Sequence, residues 1–146
     1  DAAKARMTLK TWKAEFYQKY PTEEMDERDA IVHSLQKWIG LTEENLSRHG
    51  LEKGWGQQYI CEVDGKRGWR DGSRMIIGAG SCALCVKYCL PDGNCGGCPL
   101  YKSLGRACDA RDLKHSDKAP YLLWMYYDDP LPMIAALTAT LEEQEP

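Results

Sequence analysis

Cys82-Ala83-Leu84-Cys85 and, nine intervening residues later, Cys95-Gly96-Gly97-Cys98 are two Cys-x-x-Cys steps joined by a short loop. With Cys89 and Cys108 they gather six of the chain's seven cysteines into one stretch. A Cys-x-x-Cys step lets two sulfurs reach one ion from a single turn of backbone, and a second step completes a tetrahedron. The spacing therefore predicts a structural Zn2+ site with Cys82, Cys85, Cys95 and Cys98 as ligands. Cys108 is the substitute, because a short helix after Cys98 would bring it back to the ion. Cys89 ranks last. Six thiolates sharing two ions is a further arrangement. Disulfides rank behind zinc, since seven cysteines is an odd number and no secretory segment is visible. An iron–sulfur cluster ranks third, because Cys82-x2-Cys85-x3-Cys89 is not the ferredoxin run.

No histidine lies inside the cluster, so sulfur alone fills the coordination sphere and leaves no open position for water. A nucleobase deaminase needs a ligand followed two residues later by Glu, and a proline before its Cys-x-x-Cys step. Cys61-Glu62 has the wrong offset, and Pro99 follows its pair. No catalytic residue is assigned. Cys61 alternates with Ile60 and Glu62 and reads as a core residue of a strand. His33 reads as a structural residue near the inner face of a helix, His49 as a helix C-terminal residue that suits the dipole, and His115 as a solvated loop residue.

Outward from the cluster, the chain reads as helices at both ends. Thr8 caps a first helix with Leu9, Trp12, Phe16 and Tyr20 on one face, stopped by Pro21. A second spans about Glu27 to Ile39, with Ile31, Leu35, Trp38 and Ile39 inward and Gly40 as the stop. Thr42 caps a third, short helix; Glu43 and Glu44 fill its first turn, and Leu41 staples onto Leu46. The period then changes. Tyr59 to Val63 and Lys66 to Arg70 read as a hairpin turning at Asp64-Gly65, and Met75-Ile76-Ile77 extends it into an antiparallel meander. Pro99 starts a one-turn helix through Leu104. Pro120 to Tyr127 reads as a short buried helix, in which core packing is favoured over a contact patch of Tyr121, Trp124, Tyr126 and Tyr127. Asp129-Pro130 opens a last helix with Ile134, Leu137 and Leu141 on one face.

The fold class is thus α+β: terminal helices packed on a small antiparallel sheet, with a four-cysteine zinc site holding a loop-rich middle. At 146 residues this is one domain, with a helical part at 7–50, a hairpin and zinc part at 57–118 and C-terminal helices at 119–146. Residues 1–6 read as a detached remnant, with Met7 as a native start. No apolar run is long enough to span a bilayer, so no membrane partner is expected, and the odd cysteine count fits a reducing, cytoplasmic setting.

The net charge of −3 hides an asymmetry. Residues 66–118 hold ten Lys/Arg against five Asp/Glu, and residues 119–146 hold five Asp/Glu and no Lys/Arg. The segment Lys66, Arg67, Trp69, Arg70 and Arg74 interleaves cations with a tryptophan and is a candidate nucleic-acid contact. A solvated hairpin with one packed tryptophan is the simpler reading.

Ser81-Cys82-Ala83-Leu84-Cys85, Cys95-Gly96-Gly97-Cys98-Pro99-Leu100, Cys108 and Pro120-Tyr121 with Trp124 resemble small cysteine-rich proteins encoded by bacteriophages and prophages. Thr8 to Tyr17 and Ser34 to Leu41 are similar to the same group, so the resemblance spans most of the chain. It implies an accessory protein in the host cytoplasm that binds a host or phage protein. It transfers no catalytic residue. Cys89 stands outside the shared pattern.

Overall fold

A computed structural model describes residues 8–18, 24–54, 58–62, 74–78, 81–89, 97–104, 108 and 119–144. Thr8 opens α1 (Leu9–Phe16) through a local clasp: its N–H donates to Thr11 Oγ1 at 2.8 Å, and the Thr11 hydroxyl donates to the Thr8 carbonyl at 2.8 Å. The Leu9 N–H, which a helix start leaves without an intrahelical partner, donates to Glu62 Oε2 at 3.1 Å. Leu9, Trp12 and Phe16 are buried as their spacing predicts. Tyr20 and Pro21 lie outside the described residues.

The second helix, α2 (Glu27–Gly40), is capped by Asp26, whose carboxylate accepts from the Asp29 N–H at 2.8 Å. Its buried face runs through Ala30, Ile31, Ser34, Lys37 and Trp38. Ile39 departs from the expected inward face and is 38% exposed. It stands one residue beyond the stripe that includes Trp38, and about 100° of rotation carries it to the rim. Gly40 ends the helix where α1 crosses it: a Cβ there would lie 2.5 Å from Phe16 Cγ. Trp12 Nε1–H donates to the Gly40 carbonyl at 2.8 Å. Helix α3 (Glu43–Arg48) carries the expected cap, with Thr42 Oγ1 accepting from the Asn45 N–H at 3.4 Å. Leu41 and Leu46 are both buried.

The sheet is antiparallel, in the order β1 (Leu51–Lys53), β2 (Tyr59–Glu62), β3 (Arg74–Ile76). Leu51 pairs with Glu62 on one edge of β2, and Tyr59 pairs with Ile76 on the other. The meander stands, with Met75 and Ile76 paired to Ile60 and Tyr59. Both edges of β2 are filled, by β1 and by β3; Lys66–Arg70, the expected hairpin partner, lies outside the described residues. The Asp64-Gly65 turn lies outside the described residues. Strand β1, only three residues long, has too little alternation for a sequence pattern to reveal.

Pro99 heads α4 (Pro99–Leu104) and Pro120 heads α5 (Pro120–Tyr127), where a missing N–H costs nothing. Asp128 follows α5 at φ 59°, a left-handed C-cap that suits an aspartate. Lys53 ties this corner to the sheet: its Nζ donates to the Met125 carbonyl and pairs with Asp128 Oδ1, both at 2.7 Å. Asp129 Oδ1 accepts from the Leu131 N–H at the start of α6 (Leu131–Glu143), but the cap position falls on Pro130 and not on Asp129, so the helix begins one residue later than expected. Helix α6 buries Met133, Leu137 and Thr140 and packs on α2, α4 and α5. Trp38 and Trp124 meet edge to face, 5.1 Å between ring centres, where α2 meets α5. The chain is therefore α+β, with one apolar cluster drawn from both terminal helical regions and the sheet. Among the described residues no helix is long and apolar enough to cross a membrane.

Candidate metal centre

Of the described cysteines of the cluster, Cys82 precedes the helical turn that carries Cys85 and Cys89, Cys98 precedes α4, and Cys108 lies in a turn. Ala83 and Leu84 are buried and anchor a helical turn to the core. Its next residues, Cys85–Cys89, form a π-helical turn. Such wide turns are rare and often mark functional sites. Spacings of three and four place Cys82, Cys85 and Cys89 on one side of this segment. Cys98 is buried immediately before α4, and Lys102 N–H donates to its carbonyl at 3.0 Å. The Cys108 carbonyl accepts from the Tyr121 N–H at 3.0 Å, which fixes Cys108 against α5.

Electrostatics gathers four of these sulfurs. A hydrogen bond from the Cys85 thiol lowers Cys82 well below the usual thiol value. Burial opposes this, and the charge of Lys37 and a hydrogen bond from Ser34 support it. Cys85 is driven up in return, first as the donor to Cys82, then by burial, then by the neighbouring charges of Cys82, Cys108 and Cys89. Tyr88, whose hydroxyl donates to Glu27 Oε1 at 3.3 Å, is pushed up to about 12 by burial, then by Glu27 and Cys98.

Two residues outside the cysteine stretch complete this environment. Lys37 on α2 is 1% exposed, and its ammonium donates to the Ser81 carbonyl at 3.2 Å. Ser34, one turn earlier, has its Oγ 3.8 Å from Cys82 Sγ. Sequence reasoning passed over both, because a lysine and a serine are usually solvated. The signal was present: they share a helical face with Ala30, Ile31 and Trp38 at steps of three and four.

The cysteine sulfur donors fit Zn2+ in chemistry. In geometry the fit is partial. Among the described residues, no group of three or more His, Cys, Asp and Glu is arranged to hold a metal ion. Cys82, Cys85, Cys98 and Cys108 of the expected set are described; Cys95 lies outside the described residues. Cys89, ranked last on spacing, lies within electrostatic reach of Cys85. Cys61 is fully buried on β2, the core residue of a strand as expected, and its neighbour Ile60 is buried as well.

Of the candidate nucleic-acid residues, Lys66, Arg67, Trp69 and Arg70 lie outside the described residues. Arg74 is exposed on β3, its guanidinium 4.8 Å from the Tyr59 ring centre. His33 is buried with its ring edge-on to Tyr17 at 4.9 Å, and His115 is outside the described residues. His49 does more than face a helix dipole. It is buried, with Nδ1 2.9 Å from Thr11 Oγ1 and Nε2 2.8 Å from Glu15 Oε1. Compared with family models, curated proteins and solved structures, the chain matches none of them.

Proposed function

We propose that this chain is a zinc-stabilised, non-enzymatic binding protein, an accessory protein of bacteriophage type that binds or inhibits a host or phage protein in the host cytoplasm. One observation carries the metal half of this reading: the half-buried Cys82 and Cys85 side chains hydrogen-bond each other, with the Cys89 and Cys108 sulfurs near enough to act on Cys85. When bound, zinc would supply cross-linking of the turn at Cys82–Cys89 to the segments carrying Cys95, Cys98 and Cys108. The binding half draws on the resemblance to phage proteins. An exposed apolar corner at Tyr126, Tyr127 and Leu131 offers the aromatic surface that protein interfaces favour.

The test is the mass of the purified chain under native and then denaturing, non-reducing conditions. The expected result is a zinc-sized mass lost on denaturation, with all seven thiols free, and loss of the metal in Cys85→Ser. A metal-free chain whose mass falls in hydrogen pairs would mean disulfides and would overturn the reading. The binding half is tested by capture from host lysate with wild-type chain and with Tyr127→Ala. A partner retained by the first and lost by the second is expected; equal retention by both removes this corner from the contact.

A further inference from the structure

Between α3, β1 and the end of α5 lies a cleft of about 470 Å³. Ligand pockets run from roughly 300 to 1,000 Å³. Among the described residues no cysteine lines it. Leu46, Leu51 and Trp124 are buried and form its floor. Glu43 and Asp128 are exposed and stand at its rim, and Glu52 on β1 is half-buried in its wall.

Lys53 is the one cation among the described lining residues, and its needs are already met. Its Nζ pairs with Asp128 Oδ1 at 2.7 Å and donates to the Met125 carbonyl at 2.7 Å and the Gly54 carbonyl at 3.1 Å. An ammonium has three protons to donate, so these acceptors use them all and Lys53 calls for no anion from a ligand. The described lining carries three carboxylates against that one ammonium. The cleft therefore presents an excess of negative charge over an apolar floor.

The surface beside it has the same character. Asp128 joins the cleft to the exposed corner, where Tyr126 is 52%, Tyr127 73% and Leu131 62% exposed. Residues 119–146 hold five Asp/Glu and no Lys/Arg, so this flank supplies no cation of its own. A charge excess of one sign in a cleft attracts a partner of the other sign. An apolar floor under an acidic rim suits a side chain with an apolar stem and a cationic head, which is the build of arginine and lysine. The neighbouring tyrosine rings suit the apolar residues that flank such a side chain in a folded partner.

We infer that this cleft docks a basic segment of a partner protein, with an arginine or lysine head between Glu43, Glu52 and Asp128 and its apolar neighbours towards the exposed corner. Charge complementarity sets the occupant. The inference rests on the binding reading above and adds the chemistry of the partner; the cysteines take no part in it.

The experiment is a fluorescence anisotropy titration of the full chain into a labelled short peptide alternating leucine and arginine, beside the same peptide with neutral citrulline in place of arginine. The expected result is saturable binding of the arginine peptide, with the citrulline peptide weaker by about tenfold, the usual worth of a hydrogen bond to a charged group. Added salt should weaken the first peptide. Glu43→Gln should weaken it by about threefold, the scale of a solvated ion pair. Glu142→Gln removes the same charge at the far end of α6 and should leave the affinity unchanged. Both positions are exposed, so neither variant threatens the fold. No saturable binding at millimolar concentration, or equal binding of the two peptides, would overturn the inference. Equal weakening by Glu43→Gln and Glu142→Gln would reduce it to general charge attraction and overturn it too. Arginine amide binding as tightly as the peptide would make the cleft a small-cation site, again against docking. A peptide that fails to bind while Tyr127→Ala still loses a captured partner sinks this inference alone. Equal capture by wild type and Tyr127→Ala fails the corner alone, because Glu43→Gln reads the cleft directly.

Discussion

Gly40 illustrates how one residue sets the closeness of two helices. Its backbone lies against the Phe16 ring, and its carbonyl receives the Trp12 indole N–H. A methyl group at this position would meet Phe16 Cγ at 2.5 Å, inside contact distance, and the ring has the buried neighbours Trp12 and His49 around it. Gly40→Ala is therefore expected to destabilise the fold by about 1–3 kcal/mol, the usual range for an overpacked contact. Denaturant unfolding of the two chains checks this, and an unchanged midpoint would show that α1 can shift outward freely. Lys37 and Ser34 make the opposite point. Their residue types suggest solvent, and their positions on α2 place them in the interior against Cys82.

At the scale of elements, α1 and α3 are joined by a polar clamp. Glu15 of α1 accepts from Arg48 at 2.7 Å, and its other oxygen lies 2.8 Å from His49 Nε2. Thr11 holds the far nitrogen of the same imidazole. The hydrogen bond from Arg48, then that with His49, keeps the Glu15 carboxyl below its usual range. A carboxyl whose folded-state value is lowered stabilises the fold above its unfolded-state value and ceases to do so as pH falls through the folded one. Glu15→Gln should thus melt below the wild type at neutral pH, and the gap should close in acid below the carboxylate range. Thermal melts across that range test the sign; a gap that widens on acidification would contradict it. The effect is expected to be small, since the Glu15–Arg48 pair is solvated.

For the molecule as a whole, α6 is the element that joins the two helical ends. It packs on α2, α4 and α5, with Leu137 fully buried at its centre. Leu137→Ala is expected to cost about 2–5 kcal/mol through lost burial and the cavity left behind. A single cooperative transition at a lower midpoint would show that both helical ends fold as one unit. Two separated transitions would show that α6 and α5 melt apart from α1 and α2.

Helix positions and caps were legible in the chain itself, because Leu9, Trp12 and Phe16, or Ile31 and Trp38, repeat with the helical period and Asp26, Thr42 and Asp129 satisfy N–H groups within a few residues of themselves. The cysteine spacing likewise stated a local fact, that Cys82 and Cys85 can meet. Two features needed the tertiary structure: the pairing of β2 with β1 and β3, and the arrival of Lys37 and Ser34 beside Cys82. Each depends on contacts between segments distant in sequence. A periodic pattern records which face of an element is apolar; what that face meets is decided by how the elements pack.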